Sequence, residues 1–103
     1  VVVERGERDG FSVFEVDGRL NLTSTDEFRE VIARALGEGR SRFLIDLQQA
    51  ESVDSTGLGA LVWAATNARR HGGELLIANP NESVLLLLEL TSTTKLLPLH
   101  RPA

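Results

Sequence analysis

The apolar positions of this chain change period along its length, and each change marks an element. Val1–Glu7 and Phe11–Val16 read as strands, with Asp9-Gly10 between them as a short hairpin signal. Phe11, Val13 and Val16 alternate imperfectly and Phe14 is out of phase, which predicts burial on both faces of the second strand. Asp17-Gly18 then turns the chain. Phe28, Val31, Ile32, Ala35 and Leu36 stand at i, i+3, i+4, i+7 and i+8, a single helical stripe. Ser24, with Glu27 three residues later, predicts a capping box at the start of this helix, and Gly37 a stop at its end.

Arg42–Leu47 reads as a strand buried around Phe43-Leu44-Ile45 and continuing through Val53. A second helix is predicted from about Ser55 to His71, with Leu58, Leu61, Val62, Ala65 and Ala68 inward and Gly72-Gly73 as its stop. Glu74–Asn79 is a further short strand, broken by Asn79-Pro80-Asn81, and a third helix spans roughly Glu82 to Leu90. Lys95–Leu99 is expected to add a last strand before the prolines end regular structure. Two opening strands followed by alternating helix and strand predict an α/β fold: a mixed sheet of four to five strands with helices packed mainly on one face.

At 103 residues the chain fits one domain, residues 1–103, with a modest core. Its 42% hydrophobic and 25% charged residues are ordinary for a globular protein. A net charge of −4 supplies no broad positive field, so nucleic acid is not expected as a direct partner. The absence of cysteine excludes disulfides, thiolate zinc sites and thiol catalysis. His71 and His100 are too few for a metal site, and neither a Walker loop nor a dinucleotide fingerprint is present, so no cofactor is expected. The longest unbroken apolar runs, Ala60–Ala65 and Val84–Leu88, fall far short of the roughly 20 residues that span a bilayer. No signal-peptide pattern is legible at Val1-Val2-Val3-Glu4, and a cytoplasmic location away from membranes is expected. The chain lacks methionine, which predicts a start that is trimmed, processed or cut from a longer protein.

The chemistry concentrates at Asp54-Ser55-Thr56, where the strand hands over to the second helix. Free N–H groups and the positive end of the helix dipole make that position suited to an anion, and a phosphate on Ser55 would carry about −1.5 to −2 charges there. Gly57 and Gly59 keep side chains off the first turn, leaving room for another protein's backbone. The simpler reading is that Asp, Ser and Thr only cap the helix and the glycines only pack it. A hydrolase nucleophile is disfavoured, since Val53 stands where a Gly-x-Ser-x-Gly elbow needs glycine. Asp46 and Asp54 are a conceivable carboxylate pair, with a local partner for Asp46 the plainer expectation.

Phe43-Leu44-Ile45-Asp46-Leu47, six residues, then Asp54-Ser55-Thr56-Gly57-Leu58-Gly59 resembles the STAS domain of bacterial anti-sigma factor antagonists. The likeness extends to Gly18-Arg19-Leu20-Asn21, Gly72-Gly73-Glu74-Leu75, Leu88-Glu89-Leu90-Thr91 and Lys95-Leu96-Leu97-Pro98-Leu99, in the family's order. It implies a binding protein, not an enzyme: one that engages an anti-sigma factor with serine kinase activity and releases a sigma factor. Phosphorylation of Ser55 would end that complex and a serine phosphatase would restore it. Asn21, Asp54, Thr56, Gly57, Leu58 and Gly59 are then the expected docking residues. Asn21 stands where the family often has an acidic residue, and Ser92-Thr93 replaces its usual Gly-Leu. The alternative is a STAS regulatory module of a larger sensor or transporter, binding a nucleotide, lipid or protein without phosphorylation.

Two further features bear on partners. Trp63 lies about 140° around the second helix from Leu58, beside Gly59, Asn67 and Arg70, and is either an interface anchor or packed on a neighbour. Val84–Leu88 is apolar all round, which predicts weak self-association, a partner patch or cover from the C-terminal tail.

Overall fold

The computed structural model describes residues 1–100. In chain order the elements are β1 (Val2–Arg8), β2 (Phe11–Val16), β3 (Gly18–Leu20), α1 (Thr25–Gly37), β4 (Arg42–Asp46), β5 (Ala50–Val53), α2 (Ser55–Arg70), β6 (Glu74–Ala78) and α3 (Glu82–Leu90). One mixed sheet has the strand order β1-β2-β4-β6, and β3 and β5 form a separate two-stranded parallel pair. The β1–β2 pair is antiparallel, joined by Asp9 and Gly10 with φ of 55° and 84°, the left-handed pair a two-residue turn demands. β2, β4 and β6 run parallel, so the chain crosses back through α1 and α2 between them.

Strand alternation divides the sheet into two faces. Phe14, Val16, Phe43, Ile45, Leu75 and Ile77 join the helix-covered core with Phe28 and Ile32 of α1, Leu61 and Ala65 of α2, and Val84 and Leu88 of α3. Phe11, Val13, Leu44 and Ala78 form a smaller buried cluster on the other face. β2 is therefore buried on both sides, as its broken alternation predicts. The helices keep to one face of the sheet. At the opposite end of the strands from α2's start, Arg40 donates to Glu38, Glu4 and the hydroxyl of the buried Ser12. The hydrogen bonds to Glu38 and Glu4 raise the guanidinium's already high pKa.

Three local expectations are corrected. The strand beginning at Arg42 does not continue through Val53. Asp46 Oδ1 accepts from the Gln48 N–H at 3.0 Å and the Ala50 N–H closes a turn onto Leu47. The chain then leaves the main sheet to pair with β3. The capping box at α1 does not form, because the Ser24 hydroxyl donates to the Arg19 carbonyl at 2.6 Å and makes no cap bond. α1 does end at Gly37, and the left-handed residue that follows its end is Gly39, with φ of 85°; the Arg40 N–H reaches back to Ala35. Lys95–Leu99 contributes a single parallel bridge, Leu99 to Ile77, and not a strand. Gly72-Gly73 does stop α2, with Gly72 at φ 84° and the Gly73 N–H bonded to Ala68.

Candidate functional site

The site is built by the turn from β5 into α2. Asp54 is the N-cap, extended at φ −93° and ψ −174°, and its Oδ1 accepts the Gly57 N–H at 2.8 Å. Its own N–H donates to the Leu20 carbonyl of β3 at 3.2 Å, and its carbonyl accepts from Leu58 at 2.8 Å. Asp54 therefore ties the helix start to the neighbouring strand as well as capping it. Gly57 makes that approach feasible: a Cβ there would stand 2.1 Å from the Leu20 oxygen.

With Asp54 taking the cap, Ser55 is left exposed, and its hydroxyl makes no hydrogen bond among the described residues. The N–H groups of Ser55 and Thr56 likewise have no acceptor among them. The turn thus presents an accessible hydroxyl beside two unpaired donors at the positive end of a 16-residue helix. No histidine stands by to activate it. His71 caps the far end of α2, about 24 Å along the axis at 1.5 Å per residue, and His100 Nε2 lies 3.8 Å from Asp9. Asp46 has the local partner expected of it, Gln48, and also accepts from the Asn79 side chain.

The other predicted docking residues divide by exposure. Gly59 is exposed and Thr56 half-buried, whereas Gly57 and Leu58 are buried, so neither adds to the free surface of this site. Asn21 sits in the loop after β3, next to the strand that Asp54 contacts. Its Oδ1 serves that loop, accepting from the Thr23 N–H at 3.0 Å and the Thr23 hydroxyl at 2.7 Å, and makes no bond to Ser55. Trp63 lies two turns down α2, about 12 Å along the axis from Ser55. It is half-buried against the core, with the Arg29 guanidinium of α1 over its ring at 5.3 Å. Sequence reasoning missed Leu22, which is 73% exposed in the Asn21 loop. An apolar residue between Asn21 and Thr23, outside any periodic segment, was the available signal.

No helix among the described residues is long and apolar enough to cross a membrane. The STAS domain family model matches residues 3–101. The anti-sigma-B factor antagonist of Staphylococcus aureus is 26% identical over 95 residues, covering 92% of this chain and 88% of that protein. The crystal structure of an anti-sigma factor antagonist from Mycobacterium paratuberculosis superposes with a TM-score of 0.84 at 20% identity, covering 99% of this chain and 86% of the other. The phosphorylated form of the Bacillus cell fate determinant SpoIIAA superposes at 0.76 and 14% identity, covering 98% and 92%. These two structures share the fold. Sheet order, the turn into α2 and a family match over residues 3–101 agree, and the chain belongs to the STAS domain family.

Proposed function

We propose that this STAS domain is an anti-sigma factor antagonist whose complex is controlled by phosphorylation of Ser55. Its unmodified form binds an anti-sigma factor with serine kinase activity in the cytoplasm and so frees a sigma factor. The kinase transfers the γ-phosphate of ATP to the Ser55 hydroxyl, the complex dissociates, and a serine phosphatase restores the unmodified form. The chain is the substrate of both enzymes and the catalyst of neither.

The observation that carries this reading is the unengaged, exposed Ser55 hydroxyl directly after a capping Asp54. The 26% identity to the Staphylococcus aureus antagonist over most of both chains supports the partner class. Asp54 and Thr56 adjoin the hydroxyl along the chain and Gly59 follows one turn on; Asn21 and Leu22 directly follow the Leu20 carbonyl that holds Asp54, and Trp63 stands two turns along α2. A phosphate placed there lies beside the Asp54 carboxylate, whose Oδ1 already occupies the Gly57 N–H. Its charge is thus only partly offset by the two remaining donors, and it confronts an incoming protein surface with a dense anion.

Incubation with the cognate anti-sigma kinase and ATP, followed by mass spectrometry, tests the assignment. The expected result is a gain of one phosphate that is lost in Ser55→Ala. No gain, or a gain that persists in Ser55→Ala, contradicts it.

A further inference from the structure

α3 turns leucine toward solvent as well as toward the core. Val84 and Leu88 are buried, Leu85 and Leu87 are half-buried on its flanks, and the outermost positions carry Leu86 and Leu90, 54% and 75% exposed. Beside the helix a hollow of about 400 Å³ opens between Leu85, Leu88 and Glu89 on one wall and Leu97, Pro98 and Leu99 on the other. Leu96, 41% exposed, continues the apolar surface past that second wall. Projecting leucines therefore stand on the same helix as an apolar-walled hollow and beside it.

The charges around this face are divided by wall. α3 carries Glu82 and Glu89 and no basic residue. The far side carries Lys95, together with Arg69 of α2, whose Nη2 donates to the Leu96 carbonyl. Among the described residues Glu82, Glu89, Lys95 and Arg69 make no ion pair. A groove with one acidic and one basic wall is its own complement under a two-fold rotation, which sets the acidic wall of each copy against the basic wall of the other.

We propose that this face is a two-fold interface between copies of the chain. Leu86 and Leu90 of each copy enter the hollow beside the other's α3, and Glu89 of each meets Lys95 of the other. A small apolar ligand in the hollow would leave Leu86 and Leu90 in water, and the two glutamates disfavour an anionic lipid surface. The patch is small, which places the dimer among weak, reversible associations. Arg69 lies 14 residues from Ser55 on α2, about 21 Å along the axis, so the interface leaves the switch site free. This inference does not depend on Ser55 being phosphorylated.

Sedimentation equilibrium from micromolar to millimolar concentration tests it, with circular dichroism to confirm that each variant is folded. A reversible monomer–dimer equilibrium is expected, weakened at least about tenfold by Leu86→Glu. Glu89→Lys and Lys95→Glu should each weaken it, and the E89K/K95E double variant should recover most of the loss. Ser55→Asp should leave it unchanged. A chain that stays monomeric at millimolar concentration overturns the proposal, as does a dimer insensitive to Leu86→Glu and to both single reversals.

Discussion

Ser55 keeps its hydroxyl free because it is not the residue that caps the helix. Asp54 takes the cap through Gly57. Asp54→Ala should therefore cost about 1 kcal/mol in urea unfolding, whereas Ser55→Ala should stay within about 0.5 kcal/mol of the parent chain. Equal losses in the two variants would mean that the cap is shared. Gly57 has a different task. A methyl group there meets the Leu20 carbonyl, which is backbone and cannot swing aside, so Gly57→Ala should destabilise by about 1–3 kcal/mol through overpacking. Unchanged stability would show that β3 moves freely away from α2. The Asp54-Ser55 turn was legible in the sequence because cap chemistry is local. The burial of Gly57 and Leu58 was not, since it depends on where β3 returns from another part of the chain.

At the scale of elements, ends were harder to read than helices and strands themselves. α1, α2, β2 and β6 follow from periodicity, and Gly72 stops α2 where its sequence says. The Ser24 box failed because an alternative acceptor, the Arg19 carbonyl, lies in a turn that no helical pattern describes. β3 and β5 were invisible as a pair: each is three or four residues long and they are far apart in sequence. The end of α3 shows a different conflict between sequence and geometry. Ser92 holds φ 56° while the Thr93 N–H bonds to Leu88 and the Ser92 N–H to Glu89, a helix stop that favours glycine. Ser92→Gly should stabilise the domain by about 1 kcal/mol by removing the left-handed strain on a residue with a Cβ. Thermal unfolding measures this directly; a lower Tm would mean that the serine side chain contributes more than its strain costs.

Across the whole molecule, the parallel run of β2, β4 and β6 decides where the candidate site sits. The helix α2 begins at the pole to which these strands run, and the Asp54 N–H bond to the Leu20 carbonyl brings the end of β3 to the same place. The opposite pole is held by Arg40, which joins the exit of α1 to β1 and β2 and donates to a buried Ser12 hydroxyl at 3.2 Å. Arg40→Ala should cost about 1–2 kcal/mol, mainly from leaving Ser12 unpaired, because its partners Glu4 and Glu38 are exposed. The loss should change little with added salt; a strongly salt-dependent loss would assign it to the ion pairs instead. Calorimetry with the cognate anti-sigma kinase tests the proposed switch, by comparing its affinity for the unmodified chain and for the chain phosphorylated at Ser55. The expected result is tight binding of the unmodified form and a loss of about a thousandfold, about 4 kcal/mol, on phosphorylation. Equal affinity for the two forms would contradict it.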